Sequence, residues 1–584
     1  MINVKTTVQE SVHMAIQQVA HGMNISDVDV SQIIASQTPS SDMGDIAFPM
    51  FPLAKSMRSN PQKIAESVAQ EVLKLGNVWI AQAKAAGPYL NVWLQRRQCA
   101  ELIATSLKDG ADDFGKTARY KGNKVMVEFS CPNTNKPLHL GHLRNNSLGA
   151  CVARLFAATG ADVQRVNLIN DRGVHICKSM LAYQRFGNDS TPESTGIKSD
   201  HFVGDYYVRF NQWVKEEPEA DAQAAAMLQK WEEGDESVLQ LWKTMNTWAI
   251  DGINQTYKET GIEFDRVYYE SQTYLSGKKE VLEGLDRGIF YRSEDGAVLV
   301  DMEEIGLDTK VLLRKDGTSL YLTQDIGTAI ARHNDWPFDR MVYVVGSEQQ
   351  YHFRVLFYIL GKLGFPWAEN LYHLSYGMVN LPDGKMKSRE GTVVDADDLL
   401  VQLREMAMQE MQERGRESDI DDLEAVANAI ALGALNYFLL SVSPGKDMVF
   451  DPSASLSFNG NTGPYLQYVG ARISSMMRKA SFDPARIANA DYSRLTQDSE
   501  WELISAVGRF PEVVEKSAIG YSPAELTNYL YDLGKDFSRY YHDTPVLQSE
   551  DAQLVEARLA LCWFVLSVFK QGFALLGIPF LERM

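Results

Sequence analysis

The sequence predicts a multidomain α/β protein. A parallel-sheet core carries an inserted helical segment, with a small α+β domain before it and an all-α helical bundle after it. Three observations carry that prediction. Residues 124–169 read as one strand–helix–strand unit, helix-rich sequence interrupts the α/β pattern that follows, and from about residue 396 onward apolar residues recur almost only at helical spacing.

In chain order, residues 1–115 alternate helical and strand patterns, which predicts a small α+β domain ending near Gly110-Ala111-Asp112-Asp113. Residues 116–395 hold the core. Lys124-Val125-Met126-Val127-Glu128-Phe129 reads as a buried strand, broken by Cys131-Pro132-Asn133 and Pro137. After His139-Leu140-Gly141-His142, the residues Leu148, Val152, Leu155 and Phe156 recur at helical spacing, Gly160 stops the helix, and 163–169 reads as the second strand. This is the opening of a Rossmann-like fold, and Asn170-Asp171-Arg172-Gly173 lies where a strand's carboxyl end meets the crevice of such a fold.

From about 186 to 291 the sequence predicts a helical insertion rich in Trp and Glu. A further strand at 341–345 and a helix at 351–363 add to the sheet and present Gln349. The run 376–381 predicts another strand, followed by a Pro382-Asp383-Gly384 turn, a cationic segment and a helix starting near Asp395 or Asp397. Residues 396–584 form the bundle, with 425–440 and 554–576 long and apolar enough to pack in it. No internal repeat is present.

Two histidines flanking a glycine at a helix entrance can hold nucleotide phosphates. Their imidazole N–H groups donate, Gly141 admits the backbone, and the helix N-terminus favours negative charge. The alternative is that they only cap the helix. Gly384-Lys385-Met386-Lys387-Ser388-Arg389-Glu390-Gly391 supplies cations between glycines, as nucleotidyl transfer from ATP needs when charge builds between the α-phosphate and the leaving pyrophosphate. The alternative there is a solvated turn.

His139-Leu140-Gly141-His142 and Lys385-Met386-Lys387-Ser388 resemble the two signatures of class I aminoacyl-tRNA synthetases, and within that class the chain resembles the arginyl-tRNA synthetases over nearly its whole length. The resemblance extends to Glu128-Phe129-Ser130-Cys131-Pro132-Asn133, to Tyr321-Leu322-Thr323-Gln324-Asp325 and to Ser347-Glu348-Gln349. It also includes Gly44-Asp45-Ile46-Ala47-Phe48-Pro49, Gly87-Pro88-Tyr89-Leu90-Asn91 and the C-terminal region from Gly460-Asn461-Thr462-Gly463-Pro464-Tyr465 onward.

The resemblance implies ATP-dependent attachment of L-arginine to its tRNA through an arginyl-adenylate, for translation, with Mg2+ on the ATP. It puts Glu128, Asn133, His139, Tyr321, Asp325 and Gln349 around arginine, and His139, Gly141, His142, Lys385, Met386, Lys387 and Ser388 around ATP. Two carboxylates would balance a guanidinium and an α-ammonium, and a polar pocket would reject competitors that leave its groups unpaired. Ordinary structural readings stay open: Glu128 as a strand-end carboxylate, Asp325 as a first-turn residue and Thr323 as an N-cap.

One departure matters. The usual loop reads Lys-Met-Ser-Lys-Ser, whereas Lys387 here follows Met386 directly. Either the loop is shortened and Lys387 reaches the phosphates from a shifted register, or Ser388 holds the fourth position and Arg389, or another cation, supplies the charge. Lys136 resembles the family's substitute lysine, so Lys136 and Lys385 are expected to share transition-state stabilisation, with Lys387 a third candidate. Contacts of the Asn170-Asp171-Arg172-Gly173 turn to substrate or to the tRNA acceptor end are also expected.

Net charge argues the other way: 57 Lys and Arg against 76 Asp and Glu give −19, which by itself would repel RNA. Acidic residues cluster at 216–236 and 416–424, so tRNA binding would depend on local sites. The candidates are Arg472, Arg478 and Lys479, with Tyr465, Tyr468 and Tyr540 for stacking, although helical spacing fits a core role for the tyrosines equally well. The resemblance assigns residues 1–115 to the outer corner of the tRNA.

No apolar run is expected to span a membrane, and the first residues carry no signal-peptide pattern. The five cysteines show no C-x-x-C pairing, so neither zinc nor another bound metal is expected, and the cytoplasm is the expected compartment. A monomer is expected from the resemblance. The competing readings are a synthetase for another amino acid, a small-molecule nucleotidyltransferase and a catalytically inactive tRNA-binding scaffold.

Overall fold

The structure is a computed structural model that describes residues 2–274, 276–317, 320–380, 382, 394–415 and 422–584. Its centre is a five-stranded sheet of β1 (Lys124–Glu128), β2 (Asp162–Ile169), β3 (Arg266–Tyr269), β4 (Arg340–Gly346) and β5 (Leu371–Tyr376). All neighbours pair in parallel in the order β5-β4-β1-β2-β3. In β1 the apolar run Val125-Met126-Val127 is buried, as central strands covered on both faces require. The strand order reverses between β1 and β4, so a crevice opens at their carboxyl ends, where Glu128 and Gly346 lie.

The helix Leu140–Ala158 follows β1 and is buried along most of its length. It ends at Thr159, and Gly160 turns the chain with φ +93°, a conformation that costs glycine little. Inside this helix Arg144 is 1% exposed yet carries a charge. Its guanidinium donates to the carbonyls of Gly377 (2.7 Å), Met378 (3.2 Å), Pro444 (3.1 Å) and Lys446 (2.8 Å), tying the helix to the strand exit beyond β5 and to the start of the bundle.

Two expectations need correction here. The insertion expected over about 186–291 contains β3, a true edge strand of the core sheet. The inserted part is the helical crossover between β2 and β3, with helices such as Ser199–Glu216 and Glu236–Thr260 packed around their own cluster of Phe202, Phe210, Trp213 and Trp231. Strand β3 has only four residues, with Arg266 and Val267 exposed, too short and too polar to show a period. The strand expected over 376–381 is also divided: β5 stops at Tyr376, and Val379–Asn380 pairs instead with Met448–Val449.

At the front, a four-stranded antiparallel sheet (Ser36–Gln37, Ile46–Pro49, Tyr89–Leu94, Ile80–Ala86) packs with the helices Ile2–Gly22 and Pro61–Lys74. The next helix, Arg96–Gly110, packs against bundle helices. The Trp501 indole N–H donates to Asp45 Oδ1 at 2.7 Å, joining the front sheet to the bundle.

Contrary to expectation, two bundle helices, Leu423–Leu440 and Ala552–Leu576, are long and apolar enough to cross a membrane. Their most apolar stretches are 56% and 72% buried inside the protein, where they form the bundle core. That burial accounts for their composition.

Candidate active site

The chain leaving β1 turns sharply at Ser130 (φ +75°) and Cys131 (φ +47°), two consecutive left-handed residues that are not glycine. Such a turn persists only where neighbours over-determine it. Asn145 Oδ1 accepts from Ser130 N at 2.5 Å, Asn167 Oδ1 accepts from Cys131 N at 3.0 Å, and the Ser130 hydroxyl bonds Tyr257 at 2.6 Å. The turn aims Asn133, Lys136 and His139 along one wall of a cavity of about 470 Å³.

His139 is the N-cap of the helix Leu140–Ala158. Its Nδ1 accepts from Gly141 N at 3.1 Å, and His142 Nδ1 accepts from His139 N at 3.1 Å. With both Nδ1 atoms accepting, each neutral ring carries its proton on Nε2. Burial, with Lys136 nearby, pushes His139 down to about 4, and burial and His139 push His142 well below its usual value. Two neutral N–H donors therefore sit at a helix N-terminus, so capping and phosphate binding are not alternatives: one nitrogen of each ring serves the helix, and among the described residues the other has no hydrogen-bond partner and can meet a ligand. Burial also pushes Lys136 down, and it has no ion-pair partner among the described residues.

Lys385, Met386, Lys387 and Ser388 lie outside the described residues, as does Arg389. Residues 394–396 lie against the histidine motif. Leu140 N donates to Val394 O at 3.1 Å, Ala396 N donates to Leu138 O at 3.0 Å, and His139 bridges Asp395. Asp395 then caps the helix Ala396–Glu413, as the sequence predicted.

The residues expected around arginine are not gathered into one pocket. Glu128 is 4% exposed and forms an ion pair with Arg332, itself 2% exposed; burial raises the Glu128 carboxyl and Arg332 opposes the rise. The expected balance of two carboxylates against a guanidinium and an ammonium is corrected accordingly, because Glu128 already has a cation. Asp325 Oδ2 is 2.6 Å from His352 Nε2. Asn133 lines the 470 Å³ cavity, Gln349 is exposed after β4, and Tyr321, 69% exposed, lines a second cavity of about 690 Å³. Thr323 is not the N-cap of its helix; Leu320 is, and the Thr323 hydroxyl bonds Leu312 O.

The second cavity adds Glu270, directly after β3, and Arg172 from the Asn170-Asp171-Arg172-Gly173 turn. Burial lifts the Glu270 carboxyl to about 7, with Asp171 and Asp325 adding to the rise and Arg172 opposing it. Sequence reasoning passed over Glu270 because β3 was hidden in the insertion. Its position at a strand's carboxyl end was the signal that could have found it.

Among the described residues one group could ligate a metal: Asp200, His201 and Asp397. The Lys198 ammonium already sits there, 2.6 Å from Asp397 and 3.3 Å from Asp200, and supplies the positive charge. Burial would raise Asp397, but hydrogen bonds from His201 and Lys198 outweigh it and hold the carboxyl at about 2.

On the bundle, Tyr465, Tyr468 and Arg472 share one face of the helix Gly463–Lys479. Tyr465 is half-buried and bonds Ser538 at 3.2 Å, Tyr468 lines a small cavity beside Met584, and the Arg472 guanidinium stacks 4.2 Å over Tyr541. Arg478 donates to Glu582 O at 3.0 Å. Tyr540 is 1% exposed and cannot stack on a base, which corrects that expectation: its side chain packs in the bundle core.

Comparison with known proteins follows this geometry closely. Residues 105–452 match the family model for the class I (R) tRNA synthetase catalytic domain, and residues 6–94 match the arginyl-tRNA synthetase N-terminal domain. The chain belongs to the arginyl-tRNA synthetase family. Residues 466–584 match the DALR anticodon-binding domain that completes it. Within the family the chain is 53% identical to the arginine–tRNA ligase of Treponema denticola over the full length of both chains. It is 51% identical to that of Treponema pallidum, covering 96% of this chain and 97% of the other. Among solved structures, the arginyl-tRNA synthetase of Thermus thermophilus superposes with a TM-score of 0.78 at 26% identity, covering 99% of this chain and all of the other.

Proposed function

We propose that this chain ligates L-arginine to its tRNA in two steps, forming arginyl-adenylate from ATP and passing the arginyl group to the terminal ribose. The observation that carries the chemistry is the reciprocal capping of His139 and His142, which frees one N–H donor on each ring for phosphate beside the Lys136 ammonium. ATP enters as its Mg2+ complex. Gly141 gives the triphosphate access to backbone, Lys136 takes up charge as the bond to pyrophosphate breaks, and the cations of the Lys385-Met386-Lys387-Ser388 sequence add to that charge stabilisation. Catalysis is then positional and electrostatic, with no covalent enzyme intermediate.

Arginine is read by Glu128, Asn133, His139, Tyr321, Asp325 and Gln349. The buried Glu128–Arg332 pair supports a hydrogen-bonding role for Glu128, while Asp325, whose ion-pair partner among the described residues is His352, supplies negative charge for the ligand. Residues 396–584, through the Tyr465, Tyr468, Arg472 and Arg478 surface, bind the stem and anticodon of the tRNA, and residues 1–115 contact its outer corner. The protein acts as a monomer in the cytoplasm, without zinc or membrane. Charging of arginine-accepting tRNA by the purified chain tests the reading: accumulation of arginyl-tRNA that depends on ATP is expected, and absence of charging would overturn it.

A further inference from the structure

His175 is the one residue among the described residues that lines both cavities of the site. It walls the 470 Å³ cavity with Asn135, Lys136 and His139, and the 690 Å³ cavity with Glu270 and Tyr321. Among the described residues its buried Nε2 has no hydrogen-bond partner, and neither does the buried Asn135 Oδ1 in the first cavity. Buried polar atoms in folded proteins are nearly always paired, so an orphan at the junction of two substrate-sized cavities calls for a ligand.

The ring is held in place by the chain before it. Gly173 has φ +121°, and a Cβ there would lie 2.9 Å from the His175 ring, so the glycine both makes the turn and seats the imidazole. Burial, with Lys136 and Lys178 nearby, pushes His175 down to about 4. It is therefore neither a cation nor an effective base at neutral pH; what it offers is a neutral N–H. In two-step ligation the arginine carboxylate and the triphosphate must meet at the α-phosphorus, and the wall shared by the two cavities is the meeting point.

We propose that His175 touches the reacting centre, donating from Nε2 to a non-bridging oxygen of the α-phosphate. This rests on the ligation reading given above. In the first step a carboxylate oxygen of arginine bonds to the α-phosphorus, the bond to the β-phosphate bridging oxygen breaks, and pyrophosphate leaves with that electron pair. In the second step a ribose hydroxyl oxygen bonds to the anhydride carbonyl carbon, the bond from that carbon to the phosphate oxygen breaks, and AMP leaves with that electron pair, its phosphate taking up the hydroxyl proton. His175 gives up no proton in either step. Its hydrogen bond strengthens as charge gathers on the α-phosphate oxygens, so it acts on the transition state more than on binding.

The test compares His175→Ala, His175→Gln and His175→Asn in the full chain by single-turnover adenylate formation, with thermal unfolding as the folding control. Wild-type activity is measured first, with and without total tRNA, and a wild-type chain that forms no arginyl-adenylate in either condition overturns both the ligation reading and this one. Glutamine places an amide nitrogen at the reach of Nε2, and asparagine at the reach of Nδ1. The expected result is a loss of roughly 10- to 100-fold in rate for His175→Ala and His175→Asn, with KM for ATP and arginine little changed. His175→Gln is expected to stay within about 5-fold of wild type. An active wild type with His175→Ala within about 2-fold of it, or a His175→Gln variant no better than His175→Asn, overturns the role of His175 and leaves the ligation reading standing.

Discussion

Glu128, at the carboxyl end of the central strand, and Arg332, on the helix Tyr321–Asp335, form an ion pair sealed inside the protein across 204 residues of sequence. Removing one partner leaves an uncompensated buried charge, whereas removing both leaves only a packing defect. Arg332→Met is expected to destabilise the chain by about 3–5 kcal/mol, and the Glu128→Gln/Arg332→Met double variant by distinctly less. Urea unfolding checks this, and equal, additive losses would contradict it.

The cap and donor roles of His139 can be separated by side-chain reach. His139→Asn keeps an acceptor near the position of Nδ1 and should hold stability, yet lose the Nε2 donor and with it adenylate formation. His139→Gln keeps a donor at the reach of Nε2 but loses the cap, at a cost of about 1 kcal/mol. Measured together, the single-turnover rate is expected to fall and the melting temperature to hold in His139→Asn, and the reverse in His139→Gln.

Acid should weaken the fold through the site's histidines. His139 and His175 sit at about 4, and His142 also lies far below its usual value. As pH falls from about 6.5 the unfolded chain binds protons that the folded chain refuses, so stability is lost between about pH 6.5 and 4. Melting curves across that range should show the loss, reduced in His142→Asn.

Glu270 acts in the opposite direction. Its carboxyl is raised to about 7, so the folded chain binds its proton more tightly than the unfolded chain, and the group removes stability as pH rises from about 4.5 through 7. Glu270→Gln, which mimics the protonated form, should raise the melting temperature more at pH 8 than at pH 5.5. An equal shift at both would count against the raised value.

Arg144 is predicted to be a structural charge. Arg144→Met leaves the carbonyls of Gly377 and Lys446 without a donor, while those of Met378 and Pro444 keep the backbone N–H groups of Met448 and Gly377, and should cost at least about 2 kcal/mol in urea unfolding. A loss below about 1 kcal/mol would mean that those carbonyls find other partners.

What the sequence made legible was local. The helix after His139, its stop at Gly160, the cap at Asp395 and the two apolar bundle helices follow from spacing and from residue types with fixed backbone preferences. What it hid was long-range. Nothing in the residues around Glu128 announces Arg332, nothing around Arg144 announces carbonyls some 230 to 300 positions away, and the short, polar β3 concealed Glu270. Tyr540 fitted core and surface equally by spacing, and only packing against the other bundle helices decides it.

Every step proposed above requires that this chain activate arginine. Amino-acid-dependent exchange of pyrophosphate into ATP, run across the twenty amino acids with and without total tRNA, reads that activation out. Exchange with arginine alone, or with arginine only when tRNA is present, is the predicted result. Exchange with a different amino acid, or none in any condition, would contradict it.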